Sequence, residues 1–300
     1  MAAGLGKRMR SARPKVLHPI AGRPMLAHVL DAARAISPAA IAVVVGHGGD
    51  EVEQALRAPG LAFVRQDPPR GTGDAVHVAL ASLPRDGVTV VINGDTPLIP
   101  GPLLHALAER AARGRLALLT AHVPDPSGLG RVVRDGSGAV HRIVEDRDAS
   151  PSERAIDEIY TGVLAAPTAL LSAWVARLTP HNAQNEYYLT DVVAASVADG
   201  VTVDAVVAPD ERDTRGINDR VQLAEVERIE REEGVLLDAL LKARQDAGLT
   251  QAQVAERMGT QPPAVARLER SLATGKHSPS VATLRKYVKA CGKRLVLKVA

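Results

Sequence analysis

The chain has 300 residues, of which 46% are hydrophobic and 24% charged, and its formal net charge is +3 at pH 7. This composition excludes a collagen-like or largely disordered chain. The sequence has no run of 18 apolar residues and no signal-peptide pattern, and its one cysteine, Cys291, excludes an internal disulfide. We therefore expect a cytoplasmic protein of about two domains that does not associate with a membrane.

The charge is divided unevenly along the chain. Residues 235–300 carry a net charge of +8, whereas residues 1–234 carry −5. A basic tail on an acidic body predicts two modules with different partners, and a basic module is the one suited to nucleic acid.

The first 220 residues alternate between two patterns. Apolar, β-branched runs predict strands, and amphipathic stretches between several of them predict helices. The predicted strands are 41–46, 88–94, 115–123, 139–145, 160–166 and 201–208, and the predicted helices are 24–36, 73–83 and 103–113. This alternation predicts an α/β fold with a mostly parallel sheet covered on both faces.

The pattern changes from about residue 221. A charged amphipathic helix is predicted to end at Gly234, and four short helices are predicted over 235–247, 250–258, 261–272 and 280–290. A short strand over 294–299 closes the chain. We place the domain boundary near residue 230, which gives domains 1–230 and 231–300.

The N-terminal segment AAGLGKRM contains a glycine turn. Its exposed backbone N–H groups, together with Lys7 and Arg8, could wrap phosphate oxygens, although the motif also fits a plain tight turn. Lys15 follows Pro14, which stiffens the backbone. Its side chain is either a cation held in place to bind a ligand or an ordinary surface lysine.

Asp95 follows the predicted strand at 88–94. In an α/β sheet the carboxyl ends of the strands are the edge where ligands bind. A single carboxylate there fits a Mg²⁺ ligand, since Mg²⁺ takes one or two carboxylates plus phosphate oxygens. The alternative is an aspartate that caps the following turn.

Eight motifs, taken together in this order, resemble a known enzyme family. They are AAGxGxRM, PKVLHPIAGRPML, QxxxxGTGDAV, GDTPL, GLGRVVRD, IVEDRDA, NAQNEYYLTD and GINDRVQL. They are similar to the pyrophosphorylase domain of bifunctional bacterial N-acetylglucosamine-1-phosphate uridyltransferases, over residues 1 to about 230. The resemblance implies the Rossmann-like fold of nucleotide-diphospho-sugar transferases.

The resemblance also implies a reaction and a set of site residues. UTP and N-acetylglucosamine 1-phosphate would give UDP-N-acetylglucosamine and pyrophosphate, with Mg²⁺ and by direct in-line attack on the α-phosphate. The implied roles are nucleotide contacts from Ala2, Ala3, Gly4, Asn93 and Gly94, charge neutralisation by Arg8 and Lys15, uracil recognition by Gln66, Gly71 and Thr72, Mg²⁺ binding by Asp95 and Asn218, and sugar contacts from Gly130, Glu145, Tyr160, Glu186 and Thr190.

Three departures from the family pattern carry expectations. The family has a strand of about five apolar residues before the AAG motif, and Met1 takes its last position. We expect the lack of that strand, through a mis-assigned start or a truncated gene, to leave two neighbouring strands unpaired, a gap in the core and a lowered melting point. Tyr160 stands where many relatives carry Asn. No hexapeptide repeat follows residue 230, so we expect no acetyltransferase activity and no trimer from such repeats.

Residues 249–292 resemble an Xre-type (Cro/C1) helix-turn-helix domain through the pattern LTQxxVAxxMG…AVxRLE. Its third helix, 261–272, would enter the major groove of double-stranded DNA, with Gln261, Ala264 and Arg267 on the reading face. Gln251, Arg270 and Lys276 are predicted phosphate contacts. The alternative is a four-helix packing module with a solvated basic face.

Two functions remain open at this point. One is a Mg²⁺-dependent uridyltransferase with an accessory DNA-binding tail. The other is a DNA-binding regulator or antitoxin-like protein whose nucleotidyltransferase body is truncated and inactive. Because helix-turn-helix modules of this type often dimerise, a dimer is a further expectation.

Overall fold

The computed structural model describes residues 1–4, 6–273 and 279–296 of the protein, with side chains other than those of residues 7, 230–235 and 271–273. The chain divides into two compact units, Met1–Gln222 and Leu223–Ala300. No helix in these described ranges is long and apolar enough to cross a membrane.

The first unit alternates strands with helices. Its strands are β1 (Pro19–Ile20), β2 (Arg23–Pro24), β3 (Ile41–Val45), β4 (Leu61–Arg65), β5 (Val88–Val91), β6 (Leu116–His122), β7 (Gly130–Arg134), β8 (Val140–Val144), β9 (Glu158–Pro167) and β10 (Val203–Val207). Its helices are α1 (Met25–Arg34), α2 (Gly49–Leu56), α3 (Thr72–Leu80), α4 (Gly101–Ala112), α5 (Pro151–Arg154), α6 (Thr168–Val175) and α7 (Asp191–Ala198). All six predicted strands and all three predicted helices are present, within a few residues of the expected bounds.

The strands pair in both parallel and antiparallel directions, which corrects the expectation of a mostly parallel sheet. β3 pairs with β4 in parallel, and β6 pairs with β10 in parallel, but β9 runs antiparallel to β5, β6 and β7. The short connection between β7 and β8 accounts for their antiparallel hairpin, since a parallel pair needs a long crossover. β9 pairs with β5, β6 and β7 and not with β8, the strand before it, so connection length does not set its direction.

Apolar residues fill both faces of the larger sheet. One face packs around Trp174, Leu164 and Leu118, which are fully buried, and the other packs α4 through Leu104 and Leu107. The β/α core is therefore built with very few aromatic side chains, as the composition requires.

The sheet is interrupted between β3 and β5. The β3–β4 pair is a separate two-stranded sheet, and a cavity of about 360 Å³ lies between β3 and β5, with Met1 at one end. The expected gap in the core is therefore present.

The second unit is helical. Its helices are α8 (Arg220–Asp246), which begins at the end of the first unit, α9 (Gln251–Met258), α10 (Pro262–Ala273) and α11 (Val281–Ala290). Their shared core includes Leu240, Val254, Val265 and Tyr287. This confirms the expected short helices from residue 250 onward.

Two expectations about this unit are wrong. The helix does not end at Gly234, because α8 is 27 residues long and continues through Gly234 to Asp246, so it replaces the two helices expected there. A single glycine costs a helix only about 1 kcal/mol, which packing can outweigh. The expected strand at 294–299 is absent from Arg294 to Val296, and residues 297–299 lie outside the described residues. Lys276, the predicted phosphate contact, also lies outside them.

Candidate functional site

Lys15, Asp95 and Asn218 converge although they are far apart in sequence. Lys15 Nζ donates to Asp95 Oδ2 at 2.5 Å and to Asn218 Oδ1 at 3.2 Å. The Lys15 and Asp95 side chains keep only 12% and 20% of their surface exposed. The Lys15 ammonium is therefore fixed by two side-chain partners and is not a freely solvated surface lysine.

The glycine turn packs directly against Lys15. Gly6 has a φ of +56°, and a Cβ there would lie 2.8 Å from the Lys15 Cβ, so this position needs glycine for both its conformation and its contact. The next three residues, Lys7–Met9, form a 3₁₀ turn. Arg8 lies on this turn with its side chain exposed. The turn therefore brings Arg8 and Lys15 to one part of the molecule.

The residues before the turn join the ends of two strands. Ala2 N–H donates to the Val44 carbonyl at 2.8 Å, and Gly94 N–H donates to the Met1 carbonyl at 2.7 Å. The Met1 amino group donates to the Ile92 carbonyl at 2.6 Å. Burial lowers the pKa of this amino group to about 6, although the charge of Asp95 acts to raise it. Ala2 is buried, Ala3 is half-buried and Gly4 is exposed, so the backbone leaves the sheet here.

Asn93 lies beside β9. A Cβ on Gly162, whose φ is +86°, would lie 1.9 Å from Asn93 Nδ2, so only glycine leaves room for the amide. Asn93 therefore precedes Gly94, a predicted nucleotide contact, and packs against Gly162 on β9, the strand that also carries the predicted sugar contact Tyr160.

Gln66 is buried and held in one orientation. Its Nε2 donates to the Gly71 carbonyl at 3.0 Å and to Asp74 Oδ2 at 2.8 Å. Thr72 Oγ1 accepts from Leu189 N–H at 3.0 Å. The three residues predicted for uracil recognition are therefore adjacent, at the start of α3.

Gly71 lies where two backbone segments meet. Its φ is +114°, and a Cβ there would lie 2.6 Å from the Tyr187 carbonyl oxygen and 3.0 Å from the Glu186 Cβ. Glu186, a predicted sugar contact, is therefore next to Gly71.

Four of the predicted sugar residues lie close together and form one cluster. Thr190 Oγ1 donates to Glu145 Oε1 at 3.1 Å, and a Cβ on Gly130 would lie 3.6 Å from Glu145 Oε2. Tyr160 pairs with Gly130 across the sheet. The Tyr160 side chain is buried, and its hydroxyl has no hydrogen-bond partner among the described residues.

Next to this cluster are acidic residues that the sequence analysis missed. Burial, together with Asp191 and Asp148, raises the pKa of Glu145 above its ordinary value, and burial with Asp148 does the same for Asp191. Burial and Glu145 raise the pKa of Tyr160. The signal was present in the motifs, since Asp148 and Asp191 lie inside IVEDRDA and NAQNEYYLTD.

A divalent metal fits the Asp95–Asn218 pair. Their two oxygens already converge on a cation, the Lys15 ammonium, and a carboxylate and an amide oxygen are ligands that suit Mg²⁺. Within residues 1–4, 6–273 and 279–296, no three His, Cys, Asp or Glu side chains gather to form a cage made of protein alone. A metal here would need further oxygens, which phosphates supply.

The second unit presents its predicted reading face. Gln261, just before α10, and Arg267 on α10 are exposed and Ala264 is half-buried, whereas Val265 and Leu268 are buried. The three predicted reading residues therefore share the outer face of this helix.

A buried carboxylate fixes the helices behind that face. Glu269 on α10 accepts from Arg244 Nε at 2.8 Å, Gln251 Nε2 at 2.7 Å and the Tyr287 hydroxyl at 2.5 Å. Burial alone would raise the pKa of Glu269, but these hydrogen bonds hold it below its usual range. Gln251, predicted as a phosphate contact, is thus also part of the internal network.

Comparison with known proteins agrees with this architecture. Residues 1–129 match the MobA-like NTP transferase domain family, and residues 240–297 match a helix-turn-helix family. The chain carries an NTP transferase domain and a helix-turn-helix domain. The resemblances stated from the motifs are confirmed.

The NTP transferase domain has close relatives among bacterial proteins. The chain is 50% identical over 229 residues to the bifunctional protein GlmU of Janthinobacterium sp. (strain Marseille), covering 76% of this chain and 50% of the relative. It is 51% identical over 243 residues to GlmU of Burkholderia mallei (strain SAVP1), covering 81% and 53%. The chain therefore spans about half the length of the curated relatives it matches.

A solved structure shares the fold. A glucose-1-phosphate thymidylyltransferase from Bacillus anthracis superposes with a TM-score of 0.60 at 19% identity, covering 76% of this chain and 92% of that one. This likeness, with the two family matches, confirms the predicted fold class of a nucleotidyltransferase-like α/β unit plus a helix-turn-helix unit.

Proposed function

We propose that the first unit is a sugar nucleotidyltransferase that forms UDP-N-acetylglucosamine and pyrophosphate from UTP and N-acetylglucosamine 1-phosphate. The observation that carries this proposal is the convergence of Lys15, Asp95 and Asn218 beside the glycine turn. The identity of about 50% to GlmU proteins supports the choice of substrates.

Each group of residues has a task in this reaction. Lys15 and Arg8 neutralise charge on the triphosphate, which favours a transition state with charge spread over phosphate oxygens. Gln66, held by Asp74, offers a fixed amide to the base. Glu145 and Thr190 accept and donate at the sugar hydroxyls. The sugar phosphate oxygen attacks the α-phosphorus, and pyrophosphate leaves on the opposite side.

Asp95 and Asn218 are the residues that would hold Mg²⁺. When bound with the nucleotide, the ion neutralises phosphate charge and helps to orient the triphosphate. Lys15, which contacts both of these residues, would add positive charge beside the ion.

The first prediction concerns Asp95. With UTP, N-acetylglucosamine 1-phosphate and MgCl₂, the protein releases pyrophosphate, and Asp95→Asn lowers the rate about a hundredfold or more, since it removes a charge that anchors the metal. The control is Glu109→Gln, a neutralised carboxylate exposed on α4. Full activity of Asp95→Asn, measured as pyrophosphate released per minute, would remove this residue from the proposal.

A second function is supported by the second unit. We infer that it binds double-stranded DNA through α10, because Gln261, Ala264 and Arg267 share an exposed face and the segment is strongly basic. If DNA binds but no pyrophosphate is released with any nucleotide and sugar phosphate, the protein is a DNA-binding regulator whose nucleotidyltransferase body is inactive.

The second prediction tests this face. Arg267→Ala weakens binding to a selected duplex by about 1–3 kcal/mol and relaxes sequence preference at one position, because an arginine that reads a base edge is lost. The control, Arg285→Ala, removes the same charge from the exposed side of α11. Duplexes selected from a random library and measured by fluorescence anisotropy at fixed salt provide the readout, and equal losses in both variants would contradict base reading by Arg267.

A further inference from the structure

The side-chain amide of Gln66 is held in one orientation by its neighbours. Gln66 is buried, and its Nε2 donates to the Gly71 carbonyl at 3.0 Å and to Asp74 Oδ2 at 2.8 Å. Both partners are hydrogen-bond acceptors, and the amide oxygen is also an acceptor. Turning the amide over would place its oxygen against two other oxygens. The chemistry of the two partners therefore fixes which end of the amide faces them.

Asp74 is itself fixed by a cation. Arg70 donates to Asp74 Oδ1 at 2.7 Å, so each oxygen of this buried carboxylate has its own donor. The Arg70 guanidinium also lies 5.9 Å from the centre of the Tyr187 ring. Two backbone hydrogen bonds of 2.8 Å join the same segments, from Tyr187 N–H to the Arg70 carbonyl and from Gly73 N–H to the Tyr187 carbonyl. The carboxylate is therefore part of a rigid loop.

The oxygen of the Gln66 amide is left for a ligand. Among the described residues Gln66 Oε1 has no hydrogen-bond partner, and it is not one of the fully enclosed polar atoms. An outward acceptor pairs with a base that offers an N–H group. Uracil and thymine carry an N–H at N3 between two carbonyls, whereas cytosine carries a lone pair at N3. Cytosine would therefore set one acceptor against another and leave the amide oxygen unpaired.

We propose that Asp74 is a positioning residue that determines the base specificity of the nucleotide site. By holding the Gln66 amide with its oxygen outward, Asp74 restricts the nucleotide to one with an imide N–H, uracil or thymine, and rejects cytosine. This inference rests on the proposed nucleotide site of the first unit. Asp74 acts through Gln66 and does not touch the base, and Arg70 holds Asp74 in place.

The test compares the affinities of UTP and CTP, each with MgCl₂, by calorimetric titration of the full chain. The unmodified protein binds UTP about a hundredfold or more tightly than CTP, because a site built to accept a hydrogen bond rejects a ligand without the donor. Asp74→Asn keeps the shape of the side chain but gains an N–H group, so the Gln66 amide can turn over. This variant binds UTP more weakly and CTP more strongly, and the ratio falls about tenfold or more.

Asp67→Asn is the matched control. It removes the same charge from an exposed side chain next to Gln66, and it leaves the ratio unchanged. Asp74→Ser is the second variant if Asp74→Asn does not fold, because a serine hydroxyl also donates or accepts. N3-methyl-UTP tests the outward oxygen without any substitution, and the unmodified protein binds it as weakly as CTP.

The outcomes separate this proposal from the proposed reaction. Equal losses of UTP and CTP affinity in Asp74→Asn would show a purely structural role and overturn the proposal. An unchanged ratio, an equal change in Asp67→Asn, or tight binding of N3-methyl-UTP would also overturn it. Selective UTP binding without pyrophosphate release would refute the reaction and leave the role of Asp74 standing. Failure of the unmodified protein to bind UTP would refute both.

Discussion

Tyr160 carries a buried hydroxyl that no described residue satisfies. A buried hydroxyl without a partner costs about 1–3 kcal/mol, so the fold tolerates this group at a loss of stability. Its neighbours Gly130 and Glu145 belong to the proposed sugar pocket. A substrate that offers a hydrogen bond to Tyr160 would recover that loss on binding.

The third prediction follows from this hydroxyl. Tyr160→Phe raises the free energy of unfolding of the unliganded protein by about 1 kcal/mol and raises KM for the sugar phosphate, because the unpaired group is removed and its bond to substrate is lost. Urea unfolding followed by Trp174 fluorescence and steady-state kinetics measure the two effects.

Tyr188→Phe is the matched control. Its hydroxyl accepts from Gln184 Nε2 at 2.8 Å, so the same substitution should lower stability there. Equal destabilisation by both variants would show that the Tyr160 hydroxyl is satisfied in solution.

Some residues of the site could be predicted from sequence and others could not. Asp95 was placed by a local rule, since a polar residue after a buried strand lies at the ligand edge of the sheet. The hydrogen bond of Lys15 with Asn218, 203 positions away, and the electrostatic effect of Asp191 on Glu145 depend on tertiary packing. Only the family resemblance could bring such residues together before the structure.

At the scale of elements, the helices were easier to predict than strand direction. The helical periodicity of α1, α3 and α4 is visible in the sequence, because each has one apolar face. The direction of β9 is not visible, because it depends on which strands it pairs with. β4 and β7 were not predicted, since LAFVR and GRVVR are short and carry arginines.

The fourth prediction concerns the Glu269 network, which links α8, α9, α10 and α11. Glu269→Gln lowers the stability of the second unit by about 2 kcal/mol at pH 7, since charge-assisted hydrogen bonds are lost. Hydrogen exchange at the amides of α9 and α11 gives the measurement, and Glu256→Gln, exposed on α9, is the control.

The network also sets a pH dependence. Because the pKa of Glu269 is lower in the folded than in the unfolded protein, its contribution is fully present above the ordinary glutamate pKa of about 4.3. The contribution is lost as the pH falls through the lower, folded value. The Gln variant should lack this part of the acid dependence, and an unchanged acid profile would contradict the assigned role.

At the scale of the whole molecule, each compact unit has its own core. Trp174 and Leu164 belong to the core of the first unit, and Val254 and Tyr287 belong to that of the second. The split in charge was enough to predict two modules. It could not show that α8 continues through Gly234, because a single glycine costs a helix only about 1 kcal/mol and need not end it.

The fifth prediction is that the two ligands protect different units. UTP with Mg²⁺ slows hydrogen exchange around Gly71 and Gly94 and leaves α9–α11 unchanged, because the proposed site residues lie within residues 1–222. A selected DNA duplex does the reverse. Segment-resolved exchange measured by mass spectrometry gives the result, and a change at α10 on adding UTP would contradict independent sites.

The position of Lys15 has a consequence for the order in which ligands arrive. Its ammonium already compensates the Asp95 carboxylate, so a bare magnesium ion must compete with a tethered counter-ion for the same oxygens. A triphosphate changes this balance by offering the lysine another anion. Metal and nucleotide should therefore load together as one complex, and free Mg²⁺ alone should bind weakly.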